Sequence, residues 1–164
     1  MRSALIAAVI VAAAMWAAWR LHLSAPRAAP DAYSLLDDGG RGERRIQSAM
    51  ERWRVAPTEE QVAERWASLR ETMLRDGATA EEAQGVTDAA RQAVSRRLPG
   101  RNSAYAVPVY AERALAAGQK VWVLGLGWGV RRMAPGRDER PGHVCRLVID
   151  ATTPYKVLAG RSCA

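Results

Sequence analysis

Phenylalanine is absent from this 164-residue chain, and cysteine and histidine occur only twice each. These scarcities narrow the chemistry. A closed zinc site wants four converging ligands. Here His22 lies near the N-terminus and His143 stands alone beside the cysteines, so neither metal nor other cofactor is expected. Thiol catalysis at Cys145 would need an orienting group and an oxyanion site besides His143, and the sequence marks neither. No catalytic residue is assigned, and the chain is not read as an enzyme. The glycines of GLGWGV run G-x-G-x-G, not G-x-G-x-x-G, and a basic loop follows in place of a helix. That excludes a dinucleotide-binding turn. Lysine is scarce too, since 22 of the 24 basic residues are Arg. Those arginines are scattered, not interleaved with exposed aromatics along one element. The net charge of +7 and pI near 10.2 therefore describe a basic solvated surface, and nucleic acid is not expected as a partner.

What is present begins with an uncharged run over residues 3–19, held between Arg2 and Arg20. As a helix it spans ~25 Å, short for a membrane crossing and long for a signal-peptide core. The stretch LSAPRAAPDA after it offers only poor candidates for a small-x-small cleavage site with a polar lead-in. An uncleaved signal anchor over 1–22 is favoured over a cleaved signal peptide. Cys145 and Cys163 sit at the two ends of the closing hairpin, a placement that suggests a disulfide. Disulfides persist outside the cytoplasm, so the body is expected to be extracytoplasmic, anchored or secreted.

Residues 23–42 read as a linker broken by Pro26, Pro30 and DDGGRG. A helical segment follows over 43–76. Ile46, Met50 and Trp53 stand at helical spacing, and the short helix they mark ends before Pro57. Thr58 with Gln61 forms a capping box, in which each side chain reaches a free N–H of the other. Val62, Trp66, Leu69 and Met73 then share one face, and Gly77 closes that helix. Thr79 and Glu82 repeat the capping pattern before a stripe of Val86, Ala90, Val94 and Leu98, stopped at Pro99-Gly100.

Beyond residue 100 the period becomes alternating. The strand around Pro108 is expected at a sheet edge or at a bulge. Within VWVLGLGWGV, Trp122, Leu124, Leu126, Trp128 and Val130 share one face, and Gly125, Gly127 and Gly129 the other. The bare glycine face is expected to receive the helix bearing Val86. In the last hairpin, Asp150 opposite Lys156 and Val148 opposite Leu158 give favourable pairs. That register sets Arg161 across from Cys145, so a bulge, most naturally at Gly160, is needed before the cysteines can bond. The fold class is α+β: one main helix and four antiparallel strands, preceded by helical segments and the anchor.

Taken in this order, residues 77–164 resemble the cystatin family. EEAQGVTDAARQAVSRRL resembles the cystatin helix and RNSAYAVPV the segment leaving it. ALAAG stands where cystatins carry Q-x-V-x-G, and Gly118 is its matching residue. CRLVIDATTPYKVLAGRSC resembles their last hairpin, with Pro154-Tyr155 in place of a Pro-Trp pair. The resemblance implies reversible, non-covalent inhibition of papain-type cysteine proteases by a three-part wedge. On this sequence the wedge falls at Gly77, at Ala114, Leu115, Ala116, Ala117 and Gly118, and at Pro154 and Tyr155. The alternative is a membrane-anchored, non-inhibitory protein-binding module on the same scaffold. In that case the loops are plain turns, with Tyr155 covering the hairpin.

Overall fold

A computed structural model describes residues 30–52, 57–97, 106–128 and 143–161. The anchor, Trp53, Leu98, Pro99-Gly100, the basic loop after Trp128 and Cys163 lie outside them. Among the described residues no helix is long and apolar enough to cross a membrane. After a 3-10 turn at Ser34–Leu36 come α1 (Arg41–Glu51), α2 (Glu59–Arg75) and α3 (Ala80–Arg97). They are followed by β1 (Val107–Ala116), β2 (Gln119–Trp128), β3 (His143–Asp150) and β4 (Val157–Arg161). The strands form one antiparallel sheet in the order β1-β2-β3-β4.

Local chemistry sets the helix ends. Thr58 Oγ1 accepts from Gln61 N at 3.2 Å, and Gln61 Oε1 accepts from Thr58 N at 3.0 Å. The expected capping box is therefore complete. At the other end of α2, Gly77 takes a φ of +84°, which a side chain would resist. It lets Ala78 N donate to Met73 O and Gly77 N to Leu74 O, the paired bonds of a Schellman cap. At α3 only half of the second capping pattern forms. Glu82 N donates to Thr79 Oγ1, while the Glu82 carboxylate turns to the sheet and accepts from Trp122 Nε1 at 2.7 Å. A buried indole N–H needs an acceptor, and that demand outweighs the local one.

The sheet lies between two layers. Trp122, Leu124 and Leu126 face α2 and α3, meeting Val62, Trp66, Leu69, Met73, Val86, Ala90 and Val94, all buried. Each large apolar side chain so enclosed contributes about 1.5–3 kcal/mol. The glycine face corrects an expectation. It does not receive the Val86 helix. Gly127 opens space for Met50 and Ile46 of α1, and Gly125 for the ring of Tyr110. The stretch read as linker is likewise part of the body over 30–42. Leu36 is 2% exposed, and α1 begins at Arg41.

β1 is an edge strand, and its register shifts between Pro108 and Tyr110, as its proline requires. The β3–β4 register also shifts, but at Leu158, between the pairs Val148↔Ala159 and Ile149↔Val157, not at Gly160. Val148 thus faces Ala159 instead of Leu158. Arg161 faces Arg146 instead of Cys145. Cys145 is fully buried and disulfide-bonded, so it offers no thiolate.

Candidate functional site

Antiparallel order puts both hairpin turns at one end of the sheet. The first is a two-residue turn, Ala117-Gly118, between the paired Ala116 and Gln119. Both central residues have positive φ, +48° and +83°, the backbone that matches the twist of a tight hairpin. Glycine adopts this freely, whereas Ala117 does so at a cost of about 1–2 kcal/mol. The expected five-residue loop is thus mostly strand. Ala114, Leu115 and Ala116 close β1, and Ala116 is only 4% exposed, turned into the core. Leu115 is 55% exposed. The Ala117 N–H donates to Pro30 O at 2.7 Å, so the chain enters the body against this turn.

The second turn spans 151–156 and is held by Asp150. One carboxylate oxygen accepts from Thr152 N at 2.9 Å and Thr152 Oγ1 at 2.7 Å. The other accepts from Gln119 Nε2, and Ala151 N donates to Lys120 O at 3.0 Å. Asp150 therefore ties the two turns together. Its sequence signal was a strand-final Asp before Thr-Thr-Pro, the setting of an Asx turn. Pro154 is exposed and follows a cis peptide bond. Tyr155 does not project freely. Its ring lies on α3 at Gly85, where an added Cβ would stand 2.2 Å from Cδ2 and Cε2.

Gly77 completes the end. Its carbonyl accepts from Arg113 NH2 at 2.9 Å. Arg113 also lies over the Trp122 ring, 5.3 Å from its centroid, and pairs with Glu82 at 3.4 Å. This chain of contacts seats the α2–α3 turn beside the tip of β1. The three sequence-expected segments thus share one end, and the residues that join them, Asp150, Arg113 and Glu82, were not among the expected ones. Of the large hydrophobics exposed among the described residues, Leu115 is on the first hairpin, Tyr33 follows Pro30 by three residues, and Leu74 lies in the groove between α2 and α3 with Ala67, Ala80 and Ala83.

The glycine face holds a second polar cluster around Arg146, which is 3% exposed. Its guanidinium donates to Leu36 O at 2.8 Å and to Tyr110 Oη at 3.1 Å, and pairs with Asp38 at 2.9 Å and Glu43 at 3.4 Å. Gly42 packs so closely that a Cβ there would stand 2.4 Å from Arg146 Cζ. Burial works against the Arg146 charge, but Tyr110, Asp38 and Glu43 outweigh it and hold its pKa above the ordinary value. Burial pushes the Tyr110 hydroxyl up. Arg161 adds contacts to Leu36 O at 3.2 Å and Asp37 at 3.4 Å. The cluster clasps the N-terminal segment to the sheet. Among the described residues no three His, Cys, Asp or Glu converge as metal ligands. His143 stacks on Trp128, with centroids 5.9 Å apart.

Comparison with protein-family models, curated proteins and solved structures finds no match to this chain.

Proposed function

We propose that this chain is an extracytoplasmic, membrane-anchored protein-binding module that works through the hairpin end of its sheet. One observation carries the reading: Leu115 stays exposed beside Ala117-Gly118, at the end where that turn meets those at Gly77 and Pro154-Tyr155. Apolar side chains on a rigid sheet end bury area against a partner at little ordering cost.

In its specific form the cystatin resemblance makes the partner a papain-type cysteine protease, entered by those three turns without covalent chemistry. Titration of papain with the detergent-solubilised chain tests this form. Stoichiometric inhibition that weakens in Tyr155→Ala supports it. Absence of inhibition at micromolar protein removes it.

Two placements favour the non-inhibitory form, with a different protein partner. The Tyr155 ring rests on Gly85, and Ala116 is buried. Both side chains are then structural, and Leu115 and Tyr33 are the contacts. Partner binding that is lost in Leu115→Asp and kept in Tyr155→Ala supports this form; the reverse pattern sinks it.

A further inference from the structure

Beside the Arg146 clasp lies a groove that the hairpin end does not use. It runs between residues 35–45 and the strands β1 and β2, on the glycine face, and encloses about 370 Å³. Small-molecule sites begin at roughly 300 Å³. Leu35, Ala114 and Val123 give the groove an apolar lining, and Tyr110, Arg41 and Arg45 a polar one.

The charged side chains that line it are engaged with one exception. Arg146 is matched by Asp38 and Glu43, and Arg45 by Glu112. Arg113 turns away to Gly77 O and Glu82. Just outside, Arg161 pairs with Asp37, and Arg44 donates to Gly39 O. Arg41 is the exception. Its Nε donates to Asp38 O at 3.1 Å, which orients the guanidinium, and its terminal amino groups have no partner among the described residues. A second donor is also unspent. The Tyr110 hydroxyl accepts from Arg146 Nε, so its own proton needs a different acceptor, and no described residue takes it. Burial keeps that hydroxyl protonated. The ring is held between Gly125 and the Arg45 guanidinium, so the donor stays at the groove.

A guanidinium edge takes both oxygens of a carboxylate side by side, and a hydroxyl adds a further bond to one of them. One cation without a carboxylate partner matches one negative charge. A polyphosphate would bring charges that the groove leaves uncompensated. We propose that this groove binds a small monocarboxylate with an apolar body, the carboxylate on Arg41 and the Tyr110 hydroxyl, the body on Leu35, Ala114 and Val123. The site is independent of the hairpin-end reading, because it uses none of the residues assigned to protein contact except Ala114, whose side chain here is lining.

Equilibrium dialysis of the detergent-solubilised full chain against radiolabelled benzoate and hexanoate, with micelles alone as the blank, tests the site. Saturable binding of at least one of the two acids is expected. Arg41→Gln, on an exposed side chain, is expected to weaken it about tenfold and to leave the urea midpoint unchanged. Tyr110→Phe keeps the ring, removes the donor and is expected to weaken binding several-fold; if its urea midpoint also falls, Arg41→Gln decides alone. Benzyl alcohol, which has a similar body and no charge, is expected not to compete. Absence of saturable binding at millimolar acid overturns the proposal. So does binding that is unchanged in Arg41→Gln, or that benzyl alcohol displaces as well as unlabelled benzoate does.

Discussion

Arg146 stands opposite Arg161 on adjacent strands, and a like-charge pair of that kind is unfavourable by itself. Three carboxylates and two backbone carbonyls from residues 35–43 resolve it. Asp38 does most of the joining, because its carboxylate also accepts from Gly42 N at 3.0 Å near the start of α1. Burial alone would raise the Asp38 pKa; the Gly42 bond and the Arg146 charge outweigh it and hold the carboxyl below its ordinary 3.8. A carboxyl depressed in the folded state contributes stability that is complete above 3.8. That contribution is lost as pH falls through the folded value. Glu43, Arg41, Arg161 and the neutral Tyr110 hydroxyl also face this site. Asp38→Asn is therefore expected to lower the urea midpoint at neutral pH and to flatten its fall between about pH 5 and 2. An unchanged acid limb would sink the assignment. None of this was legible beforehand, because DDGGRG has the composition of a linker and its partner lies over a hundred residues away.

At the scale of elements, two glycines of β2 that look alike in sequence do different things. A Cβ at Gly125 would stand 2.2 Å from the Tyr110 ring, which is fixed by Arg146 at its hydroxyl and by Arg45 over its face at 4.4 Å. A Cβ at Gly127 would meet Met50 Sδ at 2.6 Å, the far end of a flexible side chain. Gly125→Ala is expected to destabilise by about 1–3 kcal/mol and Gly127→Ala by clearly less, measured by urea denaturation. Equal losses would contradict this account of the face. Sequence alone showed that the face was bare, since alternation is local. It assigned the wrong helix to it, because periodicity does not say which amphipathic element reaches which side of a sheet. The helix caps show the same division. Thr58 and Gln61 cap each other as read, while Glu82 was drawn away by Trp122, 40 residues on.

For the whole molecule, the segment over 43–76 is not a separate body. Ile46, Met50, Val62 and Trp66 belong to one continuous cluster with Trp122, Leu124 and Leu147. Unfolding is accordingly expected in a single transition, with near-ultraviolet signals from the buried tryptophans and far-ultraviolet helix signals coinciding. Two separated transitions would restore the domain boundary expected before Gly77.

By itself the sequence determined the elements whose causes lie within a few residues. These are the capping box at Thr58, the apolar stripes of α2 and α3, the Gly77 stop, the irregularity at Pro108 and the four-stranded α+β class. It also named three turn segments of the candidate site. Only the tertiary structure decided that those turns share one end, that Tyr155 lies on Gly85, that Ala116 is buried and that residues 30–42 are clasped by Arg146. Such pairings join groups far apart in the chain, and the free energy that selects them comes from burial and polar satisfaction, which no local pattern records.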